Sequence, residues 1–182
     1  MPGSAPDEAT DEELFAAHAA GEPEAFERLF VRYAARMYGV MRQRGLDHAD
    51  SQDLVQQTFL LAHQARRDFR TGCKLRPWLW TIAFNLMRKA YQRSGRGARY
   101  GERSIPSETS RVYAPHEAQL GVRQAIEKLP EPQQEVILLH WYEGLSFSEI
   151  GLVLRASEGA VKVRAYRAYE KLRDILVESG GR

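Results

Sequence analysis

A line of side chains suited to holding unpaired nucleic-acid bases recurs at helical spacing near the middle of the chain. The line consists of Trp78, Thr81, Asn85 and Arg88. Residues three or four apart share one face of a helix, where an aromatic ring can stack on a base and an amide can reach a base edge. Trp78 and Trp80 are equally well explained as core residues, because large aromatic side chains are usually buried. Asn85 and Arg88 favour binding, because a basic loop at residues 70–74 lies beside them.

A second cationic surface is predicted on the last helix of the chain. Ser146 and Glu149 have the spacing of a capping box, and Ser157 can cap a longer helix after a break near Arg155. The buried stripe of this longer helix consists of Val161, Ala165, Ala168, Leu172 and Ile175. Its exposed face carries Lys162, Arg164, Tyr166 and Arg167. This pattern is typical of a helix-turn-helix whose second helix enters the DNA major groove, and an ordinary helical hairpin with a solvated basic face fits it too.

Patterns of catalytic and metal-binding residues are missing from the sequence. No glycine-rich phosphate loop follows a strand, and the five histidines are scattered. The single cysteine, Cys73, excludes an internal disulfide and a cysteine-built zinc site. Asp50 and Asp53 stand at a helix start, where the helix dipole favours negative charge. The sequence therefore predicts a binding protein rather than an enzyme, with no cofactor and no metal.

Composition and charge predict a cytoplasmic protein with a polyanionic partner. The lone cysteine fits a reducing compartment, the N-terminus is acidic, and no apolar run approaches the roughly 20 residues that cross a bilayer. The formal charge is −6 over residues 1–65, +9 over residues 66–112 and −1 over residues 113–182. Because aromatic residues are interleaved with the basic middle, we expect a nucleic-acid-binding face there rather than a basic linker without a partner.

Helical patterns account for the elements that must position these side chains. The predicted helix starts are Thr10 with Glu13, Pro23, Asp50 or Ser51, Leu75 and Glu117. A further helix is expected over residues 136–141, before the helix-turn-helix. No alternation or hairpin turn indicates a strand. The fold class is all-α: two small helical domains, residues 10–94 and 117–178, joined by a flexible linker over residues 95–116, with the second domain a helix-turn-helix domain.

Three stretches of the chain resemble parts of the bacterial RNA polymerase sigma factors of the sigma-70 family. Residues 50–64, DSQDLVQQTFLLAHQ, resemble the family's core-polymerase-binding helix. Residues 76–93, RPWLWTIAFNLMRKAYQR, resemble its promoter-melting and −10 helix, and residues 129–173 resemble its −35-reading domain. The resemblance covers roughly residues 10–94 and 117–177 and is strongest to the small extracytoplasmic-function (ECF) group.

The resemblance implies a function, partners and site residues. Such a protein binds core RNA polymerase and directs promoter recognition, DNA melting and transcription initiation. Its implied partners are core RNA polymerase, promoter DNA and an anti-sigma factor, without membrane insertion, and the free protein is expected to be a monomer. The implied polymerase contacts are Asp53, Leu54, Gln56, Gln57 and Phe59. The implied −10 contacts are Arg70, Thr71, Lys74, Trp78, Thr81, Asn85 and Arg88. The implied −35 contacts are Ser157, Lys162, Val163, Arg164, Tyr166 and Arg167.

The sequence departs from the family pattern at several of these positions. Gln57 stands where Glu is common, Val163 where a small polar residue is common, and Tyr169 where a basic residue is frequent. Arg155 occupies the turn of the helix-turn-helix in place of a small residue, which predicts a distorted turn or a phosphate contact. Two rival interpretations remain: a stand-alone helix-turn-helix regulator, and a sigma-like decoy that binds an anti-sigma protein without engaging DNA.

Overall fold

The structure, a computed structural model, describes residues 9–70, 72–93 and 117–180, which we divide into a first half before residue 94 and a second half from residue 117. Thr71 and the predicted linker at residues 95–116 lie outside the described residues. All regular structure in those ranges is helical, in agreement with the predicted fold class. The helices are α1 Asp11–Ala20, α2 Pro23–Gln43, α3 His48–Gln64, α4 Leu75–Arg93, α5 Glu117–Glu127, α6 Glu131–Ile137, α7 Phe147–Leu154 and α8 Glu158–Gly180.

The helix starts follow from local capping chemistry. Thr10 and Ser146 form the two predicted capping boxes with Glu13 and Glu149. The predicted start of the third helix at Asp50 or Ser51 is wrong, because α3 begins at His48. Its cap is Asp47, whose carboxylate accepts a hydrogen bond from the backbone N–H of Asp50 at 2.8 Å. Because Asp47 caps the first turn, the helix begins two or three residues earlier than predicted.

The first half is a four-helix unit around one apolar core. Tyr33, Met37 and Met41 of α2 face inward, together with Phe59 and Ala62 of α3. Phe30, on the same helix, is 39% exposed and lies outside this core. Helix α1 fixes the start of α4, because the Glu12 carboxylate accepts a hydrogen bond from the Leu75 backbone N–H at 2.8 Å. This long-range cap sets the position of the helix that carries Asn85 and Arg88.

The second half contains the helix-turn-helix and an irregular turn before it. Helix α6 begins five residues earlier than predicted and continues into a π-helical turn, Leu138–Tyr142. Gly144 then takes a φ of 67°, which allows the chain to reverse toward α7. Arg155 ends α7 in the left-handed region, with φ 54°. After it, the Ser157 hydroxyl accepts a hydrogen bond from the Ala160 backbone N–H at 3.2 Å, as the sequence predicts for the cap of α8.

The two halves pack directly against each other. Helix α7 lies on α4, and Leu145, Ile150 and Val153 of the second half belong to the same buried apolar cluster as Leu79 and Trp80 of the first. The predicted linker lies outside the described residues, and the described parts of both predicted domains share a continuous core. The reason is that Trp80, which is fully buried, contributes apolar surface on the side of α4 that faces the second half. No helix among the described residues is long and apolar enough to cross a membrane.

Candidate nucleic-acid interface

The α4 line of Trp78, Thr81, Asn85 and Arg88, called the polar line below, lies partly exposed along one side of the helix. Trp78 also packs into an aromatic cluster, with ring centroids 5.5 Å from Phe15 and 5.1 Å from Phe69. The Thr81 hydroxyl donates to the Pro77 carbonyl oxygen at 2.8 Å. Trp80 is entirely buried, so of the two tryptophans weighed from sequence only Trp78 retains surface for stacking.

Asn85 and Arg88 are held by each other and by the second half. The Asn85 Oδ1 atom accepts hydrogen bonds from Arg88 at 2.9 Å and from Arg155 at 3.0 Å. Arg88 also donates to the Val153 carbonyl oxygen at 2.9 Å. Burial lowers the pKa of the Arg88 guanidinium, which remains charged at neutral pH. In this arrangement the Asn85 oxygen and the Arg88 guanidinium are oriented but bonded to protein partners.

The basic loop before α4 is more open. Arg70 and Lys74 are exposed, and the Lys74 ammonium forms an ion pair with Glu149 at 2.7 Å. Thr71 lies outside the described residues. Cys73, in the same loop, is exposed and has a free thiol. The loop therefore offers two cations beside the polar line, one of which also touches the second half.

The outer face of α8 presents the cations and apolar groups that the sequence predicts. Lys162, Val163, Tyr166 and Arg167 are exposed, and Arg164 is half-buried. The Lys162 ammonium is paired with Glu158 at 2.7 Å within the helix. A hydrogen bond that the Tyr166 phenol donates to Glu170 raises the pKa of Tyr166, so its single O–H donor is used within the helix and its oxygen remains as an acceptor. Unlike the polar line, this face is open to duplex DNA in the described structure.

The polymerase-binding prediction needs correction at two of its five residues. Asp53 and Gln56 are exposed and Gln57 is half-buried, with the Gln57 amide donating to Asp53 at 2.6 Å. Leu54 and Phe59, only 3% and 4% exposed, lie in the core because their spacing places them on the inner face of α3. They support the helix from within and cannot contact a partner directly.

Sequence reasoning missed an apolar groove between α3 and α4. Leu60 and Leu61 are 54% and 39% exposed, although leucines at these positions fit a buried stripe equally well. The groove is lined by Gln57, Leu60, Leu61, Leu86, Lys89, Gln92 and Arg93. Its floor is apolar and its rim is polar and basic, so it extends the surface formed by Asp53, Gln56 and Gln57.

Sequence reasoning also missed the buried carboxylate at the contact between the halves. Glu143, which follows the π-helical turn, is 1% exposed. Its carboxylate accepts a hydrogen bond from the Trp80 indole N–H at 3.0 Å and pairs with Arg36 at 3.1 Å. Arg76 donates to the Glu143 carbonyl oxygen at 2.9 Å. A charged residue in a turn gives no local signal of burial, because all three partners are distant in sequence. No group of three metal-binding side chains occurs among the residues that the structure describes.

Comparison with known proteins assigns both halves to the family that the sequence resembles. The family models for Sigma-70 region 2 and Sigma-70, region 4 match residues 29–97 and 119–172. RNA polymerase sigma factor CarQ of Myxococcus xanthus is 36% identical over 162 residues, which cover 87% of this chain and 92% of CarQ. ECF RNA polymerase sigma factor SigM of Mycobacterium tuberculosis is 29% identical over 173 residues, 93% of this chain and 86% of SigM. The structure of CnrH, solved with the cytosolic domain of CnrY, is similar with a TM-score of 0.67 and 30% identity, covering 92% of this chain and 97% of CnrH.

Proposed function

The chain belongs to the sigma-70 family of RNA polymerase sigma factors, and we propose which of its residues carry each step of promoter recognition. It is an ECF sigma factor that binds core RNA polymerase and directs promoter recognition, DNA melting and transcription initiation. The observation that carries this conclusion is the match of both sigma-70 regions, in order, to the segments with the polar line and the helix-turn-helix. The proposed domains are residues 10–94 for polymerase binding and −10 melting, residues 95–116 as the linker, and residues 117–178 for −35 recognition.

The polar line and the loop before it bind unpaired bases of the −10 element. Unstacking a base costs on the order of a few kcal/mol, so melting requires a surface that receives the base. Trp78 offers a partly exposed aromatic ring for stacking, while Asn85 and Arg88 offer hydrogen-bonding groups on the same side of α4. Arg70, Thr71 and Lys74 supply donors and positive charge for the phosphates. The partial exposure of Asn85 and Arg88 supports this role.

The exposed face of α8 reads the −35 element in duplex DNA. Lys162 and Arg167 can reach guanine edges or phosphates, and Val163 can contact a thymine methyl group. The Tyr166 side chain is exposed, so its ring can contact a base and its hydroxyl oxygen can accept a hydrogen bond from DNA. Ser157, just before α8, and Arg164, on its second turn, can contact phosphates. The helix start adds the partial positive charge of its free N–H groups.

The outer face of α3 binds core polymerase. Asp53, Gln56 and Gln57 provide the polar contacts, and the groove beside Leu60 and Leu61 provides the apolar area that a stable protein interface needs. Leu54 and Phe59 act only by holding the helix in place. The protein is proposed to work in the cytoplasm, where the polymerase is found.

A protein partner that controls the free sigma factor is also proposed. The family commonly has an anti-sigma factor, and the similar CnrH was solved with the cytosolic domain of CnrY bound. A stand-alone regulator would leave the α3 face and the polar line unused. A decoy would not need the cations on α8.

A promoter-binding experiment with and without core polymerase tests the function. Genomic fragments captured by the reconstituted holoenzyme supply the promoter, and permanganate footprinting then reports melted thymines. We expect an open complex and run-off RNA only with polymerase and this protein together. A stable complex on the same fragment without polymerase would instead identify a stand-alone regulator. Failure to bind core polymerase at all would contradict the family function.

A further inference from the structure

The surface that contacts Asn85 and Arg88 of the polar line is part of the same chain. Helix α7 lies on α4, and the contacts between the halves include Lys74 with Glu149, Arg88 with Val153 and Trp80 with Glu143. These contacts combine a buried apolar cluster with charge-assisted hydrogen bonds, as specific protein interfaces do. The second half thus sits on the part of the first half that is proposed to receive the −10 bases.

Asn85 gives the clearest conflict between this packing and DNA binding. An amide oxygen has two lone pairs, and Asn85 Oδ1 already accepts hydrogen bonds from Arg88 and Arg155. Arg88 also donates a hydrogen bond to the Val153 carbonyl oxygen. A base edge that offers an N–H donor to Asn85 must therefore displace one of these two guanidiniums, and Arg155 is the one that the second half supplies.

Arg155 is an unusual residue for its backbone position. With φ 54°, it is the one non-glycine residue with positive φ in the part of the chain that the structure describes. Glycine or asparagine suits such a turn at lower cost, because the left-handed region crowds a larger side chain. Arg155 adopts this strained backbone conformation while its guanidinium donates a hydrogen bond to Asn85 of the first half. This contact gives the residue a role that the turn itself does not require.

We propose that Arg155 is an intramolecular latch, which holds the free protein closed and occupies the base-binding oxygen of Asn85 until polymerase and promoter open it. This inference rests on the proposed −10 role of Asn85 and Arg88. In the closed form the chain's own second half occupies the Asn85 and Arg88 end of the polar line. The −35 face of α8 stays exposed in the same form, so opening exposes the −10 surface without changing the −35 surface.

The latch is tested on the free full-length protein by measuring the distance between its halves. In a Cys73→Ser background, spin labels at Glu27→Cys and Lys171→Cys lie on exposed faces of α2 and α8. Arg155→Gly and Arg155→Asn remove the guanidinium while keeping a residue that tolerates positive φ. Arg173→Ala is the matched control, because Arg173 forms its ion pair with Asp174 within α8.

We expect one short, narrow distance distribution for the wild type and for Arg173→Ala. Arg155→Gly and Arg155→Asn should both increase the open fraction by roughly tenfold, the effect of losing a charge-assisted hydrogen bond. Addition of core polymerase should move the wild type to the long distance. The proposal is overturned if the free wild type is already as broad as the variants, if both variants stay closed, or if the short distance persists in the holoenzyme.

The same variants separate failure of the latch from failure of the proposed −10 role. The distances in the free protein depend on neither polymerase nor DNA. If Asn85→Ala holoenzyme melts a promoter as well as the wild type, the −10 role of Asn85 fails whatever the distances are. If Asn85→Ala impairs melting while Arg155→Gly stays closed, the −10 role holds and the latch fails.

Discussion

The Trp80 indole nitrogen lies 3.0 Å from the Glu143 carboxylate, which joins the middle of α4 to the turn before α7. Both side chains are almost fully buried. Arg36 from α2 pairs with the same carboxylate, and Arg76 from α4 is close enough to influence it. A buried carboxylate is tolerated only when such donors replace its water. One buried ionisable residue is therefore part of the contact between the halves.

Glu143→Gln should remove a pH dependence from the stability of the protein. Burial raises the pKa of Glu143, with Arg36 and the Trp80 hydrogen bond opposing the rise. The folded state therefore holds this proton more tightly than the unfolded chain. That contribution is present below the ordinary pKa of 4.5 and is lost as the pH rises through the raised value.

Urea unfolding across the acidic and neutral range measures this effect. The free energy of unfolding of the wild type minus that of Glu143→Gln should fall as the pH rises from 4.5, and then level off. The glutamine side chain stays neutral and can still accept the Trp80 hydrogen bond, so other titrating groups cancel in the difference. A difference that rises with pH would mean that the carboxylate is stabilised, not destabilised, by its surroundings.

Arg44→Met should destabilise the protein by removing the cation between α2 and α6. The Arg44 side chain is 4% exposed and bonds Glu131 and Glu135. Burial raises the pKa of Glu135, and the charge of Arg44 is the largest influence that opposes the rise. Loss of one partner leaves the other charge buried, which costs about 3 kcal/mol or more. Chemical denaturation measures the change.

A double variant and a surface control complete that measurement. Arg44→Met with Glu135→Leu should recover part of the loss, because the unpaired charge is gone and the site becomes apolar. Arg167→Met, on the exposed face of α8, should change stability by no more than about 0.5 kcal/mol. If Arg44→Met is as mild as Arg167→Met, the ion pairs at Arg44 contribute nothing to the contact.

Features of the fold that depend on neighbouring residues could be predicted from the sequence. The capping boxes at Thr10 and Ser146, the cap at Ser157 and the apolar stripe of α8 all follow from spacing within one helix. The start of α3 was placed too late because two consecutive residues, Asp50 and Ser51, imitate a cap that Asp47 supplies. Local patterns thus fixed the helices but left some ends uncertain by a few residues.

Features that join distant parts of the chain could not be predicted. The sequence alone allows either Trp78 or Trp80 to be a core residue. In the structure Trp80 is completely buried where the second half packs on α4. Glu143 and Arg155 stand in turns, where charged residues are normally solvated. Their partners Trp80 and Asn85 are 63 and 70 residues away. The packing of the halves, and with it the contacts of Asn85 and Arg88 with the second half, is therefore seen only in the structure.

Asn85→Ala should impair promoter melting while leaving core binding intact. The substitution removes a base-edge contact worth about 1–3 kcal/mol, so the open-complex fraction should fall roughly tenfold at limiting concentration. Helix α4 should keep its structure, because alanine is a good helix former. Permanganate footprinting measures melting, and co-migration with core polymerase measures binding. Equal loss of both would indicate a structural role for Asn85.

Arg167→Ala should weaken recognition of the −35 element. Arg167 is exposed on α8, and one base or phosphate contact from such a residue contributes about 1–3 kcal/mol. Arg173→Ala, farther along the same helix, is the control. Holoenzyme affinity for a promoter and for −35 variants of it gives the readout. If Arg167→Ala keeps the wild-type affinity and sequence preference, Arg167 does not belong to the reading set.

Gly151→Ala should damage the helix-turn-helix, whereas Gly159→Ala should not. A Cβ atom at Gly151 would lie 2.7 Å from the Ala156 carbonyl oxygen, a backbone atom that cannot move without shifting the turn. A Cβ at Gly159, in the first turn of α8, would meet no atom within 4 Å. The two substitutions are chemically identical and lie eight residues apart, so they separate steric crowding from the intrinsic effect of alanine.

The expected stability changes have opposite signs. Gly151→Ala should lower the free energy of unfolding by about 1–3 kcal/mol, as overpacking against a fixed neighbour does. Gly159→Ala should raise it by about 0.4–1 kcal/mol, because alanine restricts the unfolded chain and favours the helix. Thermal and urea unfolding measure both. Because α7 carries the surface that packs on α4, Gly151→Ala should also widen the distance between the halves. If alanine is tolerated equally at both glycines, the close approach of α7 to the turn is not the constraint that positions α8.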